Sequence, residues 1–185
     1  IMDRLRVLLV TLPIPEPPFG IQRGNHQLFA LFFKNFLRLR REERFEILTL
    51  PRRIVDLGTN AAVVDAILEL RPDVAGFSLY LWNVERSIDC ARRLKSAASG
   101  LITVGGGPEV QEDNDFLLGR GPFDFLVKGE GEIPFLALLD ALVELGGPRR
   151  VAAGEPGAVL ASRLAALPSL YALAEHPNGG RRGTG

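Results

Sequence analysis

The strongest constraint in this sequence is an alternation. Five short apolar runs, each suited to a buried strand, are separated by stretches with helical spacing. The runs are RVLLVTL (Arg6–Leu12), FEILTL (45–50), VAGFSLY (Val74–Tyr80), LITV (101–104) and FDFLVKG (123–129). Strands this apolar, with helices between them, indicate a parallel sheet covered on both faces. Right-handed crossovers leave few ways to order such strands. The expected fold is a doubly wound α/β domain, Rossmann-like or flavodoxin-like, with five parallel strands in the order 2-1-3-4-5.

The intervening stretches support that reading. HQLFALFFKNFLRLRR (26–41) places Leu28, Phe29, Phe32, Phe33, Phe36 and Leu37 on one helical face and Lys34, Arg38 and Arg41 on the other. Asn25 is its expected cap. AAVVDAILEL (61–70) predicts a helix with Asn60 before it and Pro72 after it. NVERSIDCARRLKSA (83–97) predicts another, capped by Asn83. Val84, Ile88, Ala91 and Leu94 are expected on its inner face, with an Asp89–Arg93 pair across one turn. DFLLGRG (115–121) suits a short helix. EIPFLALLDALVEL (132–145) suits a last one, with Pro134 in its first turn and Gly146 and Gly147 past its end.

Composition removes several function classes. Lys plus Arg equals Asp plus Glu, 22 each, so there is no basic footprint for nucleic acid. No apolar run reaches the roughly 18 residues of a membrane span, and the run Val7–Leu12 is too short for a signal-peptide core. A cytoplasmic location is the expectation. The one cysteine, Cys90, allows neither an internal disulfide nor a cysteine-rich metal site. It is expected to be an inert packing residue.

In a doubly wound fold, ligands bind beyond the carboxyl ends of the strands, where the strand order reverses. The loops brought to that rim carry the unusual residues of the chain. After the first strand comes TLPIPEPPFG, with Thr11 and Pro13. After the third comes SLYLWN, with Ser78, Leu79, Tyr80, Asn83 and the only tryptophan, Trp82. After the fourth comes GGGPE, with Gly105, Gly106, Gly107 and Pro108, and after the fifth GEGE, with Gly129, Glu130, Gly131 and Glu132. Each glycine costs about 0.5–1 kcal/mol of backbone entropy relative to alanine. Three in a row mean that something approaches this backbone too closely for side chains. The expected ligand is bulky, largely uncharged and flat against the backbone.

Plainer readings stand beside this one. The glycines also suit a tight turn, and the Ser78 hydroxyl suits a bond to its own backbone. Tyr80 and Trp82 suit an aromatic cap on the sheet. Glu130 and Glu132 suit solvated positions, with Glu132 favouring a helix N-terminus. His26 suits a surface position at a helix start, and Arg149, Arg150, Arg181 and Arg182 suit solvated tail charges.

The segments VAGFSLYLWNVERSIDCARRLK, ITVGGGPEV and FDFLVKGEGEIPFLALLDAL resemble the cobalamin-binding domain that precedes the barrel of many radical S-adenosylmethionine (radical SAM) enzymes. The resemblance covers roughly residues 5 to 145. It rests on Ser78 after the third strand, Gly105 and Gly106 after the fourth, and Gly129–Glu132 after the fifth. It implies that the nucleotide tail of cobalamin slides between strands at the switch point, against the glycines. It also implies that the serine hydrogen-bonds the buried benzimidazole, and that the corrin ring rests near YLWN and GEGE. Thr11, Pro13, Leu79, Gly107 and Pro108 are expected in the same binding rim.

Two departures from that pattern carry expectations of their own. The loop after the first strand has no histidine, and the nearest, His26, falls at the following helix, so cobalt is expected to have no protein imidazole below it. A cluster motif of three closely spaced cysteines is also missing, so S-adenosylmethionine and a four-iron cluster would belong to a radical SAM domain elsewhere. Residues 1–147 are expected to form the binding domain. Residues 148–185 are expected to be a linker and tail, partly disordered, leading toward that absent barrel. Within them VAAGEPGAVLA suits a small hairpin, LAALPSLY a linker and HPNGGRRGTG a loose end. The chain is thus expected to be a carrier module of a methyl-transferring or related radical enzyme rather than a catalyst alone. Two other classes stay open. One is a flavodoxin-like domain for a nucleotide or flavin, although neither expected phosphate loop is present. The other is a ligand-free interaction or regulatory domain. A response regulator is disfavoured, because Leu12, Pro13 and Tyr80 stand where acidic residues are wanted.

Overall fold

The computed structural model describes residues 4–13, 34–36, 39, 43–146, 169–174 and 182–184. The five apolar runs form parallel strands: β1 (Leu5–Val10), β2 (Phe45–Thr49), β3 (Val74–Ser78), β4 (Ile102–Gly106) and β5 (Phe125–Val127). Their order in the sheet is β2-β1-β3-β4-β5, the doubly wound order expected from the alternation. The registers are Leu9 beside Gly76, Gly76 beside Val104, Ser78 beside Gly106, and Gly106 beside Val127.

Two further strands extend the sheet. β6 (Leu170–Ala174) pairs antiparallel with β5, and β7 (Arg182–Thr184) pairs antiparallel with β6. Both come from the region expected to be linker and tail. Phe125 sits opposite Ala172, so the contact spans a long stretch of chain.

Five described helices cover the sheet: α1 (Arg52–Leu57), α2 (Asn60–Leu70), α3 (Val84–Ala97), α4 (Asp115–Arg120) and α5 (Glu132–Glu144). Successive strand residues face opposite sides, and the core divides accordingly. On one face Leu8, Val10, Ala75, Phe77 and Leu126 pack with Val63 and Ile67 of α2, Ile88, Ala91 and Leu94 of α3, and Leu117 of α4. On the other face Val7, Leu9, Val74, Ile102, Val104 and Val127 pack with Phe135, Leu138, Leu139 and Leu142 of α5. Of the helix expected over 26–41, residues 34–36 and 39 are described and helical, and Phe36 packs on this second face. Asn25 and His26 lie outside the described residues.

The helix caps differ from expectation in two places. Thr59, not Asn60, caps α2, its hydroxyl accepting from the Ala62 amide at 3.2 Å. Asn60 is the first helical residue. It donates to Asp89 at 2.8 Å and accepts from Arg86 at 2.9 Å, tying α2 to α3. Asn83 holds the position before α3, but its side chain makes no capping bond. It turns back into the loop instead. The expected pair of Arg93 and Asp89 forms at 2.9 Å.

Candidate functional site

A cleft of about 180 Å³ opens at the carboxyl edge of the sheet, on the α5 face. It crosses the point where strand order reverses, with Leu9 from β1, Gly76 and Ser78 from β3, Val104 and Gly106 from β4, and Val127 from β5. Its mouth is formed by Tyr80, Gly107, Gly129, Gly131 and Glu132, and Phe135 of α5 lies deeper, over Gly76.

The three consecutive glycines have three different causes. A Cβ on Gly105 would lie 2.8 Å from both Leu126 Cδ2 and Leu79 Cδ1, and 3.3 Å from Phe123 Cδ2. That glycine therefore faces the helical core on the far side of the sheet. Gly106 faces the cleft; a Cβ there would meet only Val127, at 3.6 Å. Gly107 has a φ of +119°, and a Cβ would lie 2.6 Å from the Leu79 carbonyl oxygen. Here the backbone itself demands glycine. Gly129, with φ +72°, is held at the mouth by the same left-handed requirement.

The loop after β3 is locked to its neighbours by backbone and amide bonds. The Leu79 amide donates to the Gly106 carbonyl at 2.6 Å. Asn83, only 1% exposed, accepts from the Tyr80 amide at 2.8 Å and donates to the carbonyls of Leu12 and Ser78 at 2.9 and 3.1 Å. Buried polar groups are costly unless bonded, and every polar atom of this amide is committed within the protein. Thr11 is also buried, and its hydroxyl donates to that of Ser78 at 3.3 Å. Ser78 thus sits at the edge of the cleft with an oxygen that accepts from Thr11 and a proton free to turn elsewhere.

Tyr80 stacks flat on Trp82, with ring centroids 4.7 Å apart and planes 6° apart. Tyr80 faces the cleft, while Trp82 supports it from outside and stays 41% exposed. Burial raises the Tyr80 pKa, so the phenol stays neutral. Among the described lining residues, Glu132 carries the only formal charge.

The structure thus gathers Ser78, Tyr80, Gly106, Gly107, Gly129, Gly131 and Glu132 around one cleft. Thr11, Asn83 and Trp82 stand behind that lining. Leu79 and Gly105 belong to the core of the opposite face. Pro13, half-buried three residues after β1, is not part of the lining. Pro108 and Glu130 point to solvent. Sequence reasoning missed Gly76, Leu9, Val104, Val127 and Phe135. For the four strand residues the signal was the two-residue period, which in register with Ser78 and Gly106 marks every second residue as facing α5; Phe135, on α5 itself, has no such signal.

Among the described residues no group of three or more His, Cys, Asp or Glu is placed to hold a metal ion. Cys90 is buried in the core, and burial pushes its thiol up to about 11. Among the described residues no helix is long and apolar enough to cross a membrane.

The model for the B12 binding domain matches residues 35–139, more than half of the chain. The chain belongs to the B12-binding domain family. B12 is cobalamin. The cleft combines open backbone at Gly106, an apolar interior and the hydroxyl of Ser78. Two curated relatives are methyltransferases. One is 2-(S-pantetheinyl)-carbapenam-3-carboxylate methyltransferase of Streptantibioticus cattleyicolor, 39% identical over 83 residues. The other is the cobalamin-dependent radical SAM methyltransferase TokK of Streptomyces tokunonensis, 36% identical over 78 residues. Each match covers 42% of this chain but only 12% and 11% of the respective relative.

Proposed function

We propose that this B12-binding domain is the cobalamin-holding module of a methyl-transferring radical SAM enzyme, with S-adenosylmethionine and a four-iron cluster bound on another domain. The observation that carries the cobalamin part is the cleft at the switch point. Its wall at Gly106 is bare backbone, and Ser78 offers a single hydroxyl beside it. The methyltransferase part draws on the two methyltransferases that the chain resembles.

In this reading the open backbone at Gly106 leaves room for the nucleotide tail, and Gly76 seats the Phe135 ring below it. Ser78 presents its hydroxyl to the base, and the Thr11 hydroxyl supports it from behind. Leu9, Val104 and Phe135 exclude water from the buried end. Tyr80, backed by Trp82, and the Gly129–Glu132 loop border the corrin ring at the mouth. Bound cobalamin supplies a cobalt centre able to carry and release a methyl group. The stretch TLPIPEPPFG after β1 offers no imidazole to that cobalt.

The test is direct. The purified chain is mixed with hydroxocobalamin, desalted and scanned in the visible range. Retention of about one corrinoid per chain, with a base-off spectrum, is the expected result. A desalted protein with no corrinoid absorbance would leave the cleft to another ligand or to none.

A further inference from the structure

Two rows of residues cross the sheet beneath the cleft. Ser78, Gly106 and Val127 form the row near the mouth. Leu9, Gly76 and Val104 form the next row. The rows are two residues apart along each strand, so the second lies about 7 Å deeper. Phe135 comes down from α5 onto this deeper row. A Cβ on Gly76 would lie 3.2 Å from Phe135 Cζ and 3.7 Å from Leu9 Cδ2. The ring is therefore bedded on the bare backbone of Gly76, and it is 4% exposed. A single added methyl would have to lift the ring by a few tenths of an ångström toward the space above it.

The floor made by Leu9, Val104 and Phe135 has no polar side chain, and the hydroxyl of Ser78 stands one row higher. Such a floor does not read hydrogen-bond donors or acceptors. It reads size, and a single methyl group in an apolar pocket changes affinity by about tenfold or more.

We infer that Phe135, seated on Gly76, sets the depth of the cleft and thereby selects the base at the end of the corrinoid's nucleotide tail. The inference rests on the cobalamin reading above and adds to it a specificity-determining pair. Gly76 fixes how low the ring lies, and the ring fixes how far the base enters.

Two variants with opposite effects on depth test it. Gly76→Ala raises the floor, and Phe135→Leu lowers it. Three probes are titrated against each: cobalamin, whose base carries two methyl groups; its analogue with unsubstituted benzimidazole; and cobinamide, which has no base. Thermal unfolding of both variants confirms that they are folded at the titration temperature. Gly76→Ala should weaken cobalamin roughly tenfold, change the unsubstituted analogue by less than about twofold, and leave cobinamide unaffected. Phe135→Leu should shift the ratio of the two base-bearing probes the other way. Equal changes across all three probes, or an unchanged ratio in both variants, would make Phe135 a packing residue only and overturn the inference while sparing the cobalamin reading. A parent chain that binds none of the three overturns both.

Discussion

The side-chain amide of Asn83 donates to the Leu12 carbonyl at 2.9 Å, which ties the loop after β1 to the loop after β3. The same side chain holds the Ser78 carbonyl and the Tyr80 amide. Asn83→Ala would leave one buried and two half-buried backbone groups without this partner. A cost of about 3 kcal/mol is expected in urea unfolding, together with weaker binding at the cleft. Asn83→Asp keeps the acceptor for Tyr80 but loses both donated bonds, so it should rescue little. A loss below about 0.5 kcal/mol for Asn83→Ala would show that water replaces the clamp.

The neighbouring glycines should respond in opposite ways. Gly105→Ala puts a methyl 2.8 Å from two core side chains, so thermal unfolding should report a loss of about 1–3 kcal/mol. Gly106→Ala meets only Val127 at ordinary contact distance and should change stability by less than about 0.5 kcal/mol. The reverse ranking would mean that the two residues face the other way from the sheet.

These glycines also show what the sequence can and cannot say. Strand order was legible because short apolar runs separated by helical spacing admit few topologies. The GGG run was legible as a place of close approach, but not as three separate ones. Only the register assigns Gly105 to the core, Gly106 to the cleft and Gly107 to a left-handed backbone. Gly76 sits inside VAGFS, where a lone glycine looks like any small strand residue. Its meaning appears only when α5 brings Phe135 over it. The six-residue helix α1 begins after Pro51 with no side-chain cap, and is too short to show a period. β6 pairs with a strand some 45 residues earlier in the chain, and no local pattern encodes such a partner.

Cys90 should behave as a core residue. Its thiol is buried and titrates near 11, so it is neutral at pH 8. A disulfide reagent at pH 8 should label the unfolded chain within minutes and the folded chain only at the rate of opening. Reconstitution with iron and sulfide should give no cluster absorbance, because this is the single cysteine of the sequence. Fast labelling of the native protein would contradict the packing.

The Asp89 carboxylate is held below its usual pKa, first by the hydrogen bond from Asn60; burial opposes this, and the hydrogen bond and charge of Arg93, with the charge of Arg92, add to the lowering. A lowered folded-state pKa means that the contribution is present above the unfolded value of 3.8 and is lost as pH falls through the folded one. The site is largely solvated, so the contribution is a few tenths of a kcal/mol. Asp89→Asn should therefore melt slightly below the parent at pH 7, and the gap should close near pH 3. A gap that widens on acidification would reverse the assigned sign.

The central claim is that the bare backbone at Gly106 receives the tail of cobalamin. Equilibrium titration of hydroxocobalamin against the parent and Gly106→Val, followed by visible absorbance, tests it most directly. The variant places its added atoms at the cleft wall beside Val127, so it should unfold at nearly the parent temperature yet lose cobalamin affinity by at least about a hundredfold. Gly106→Val binding cobalamin as tightly as the parent would contradict the account.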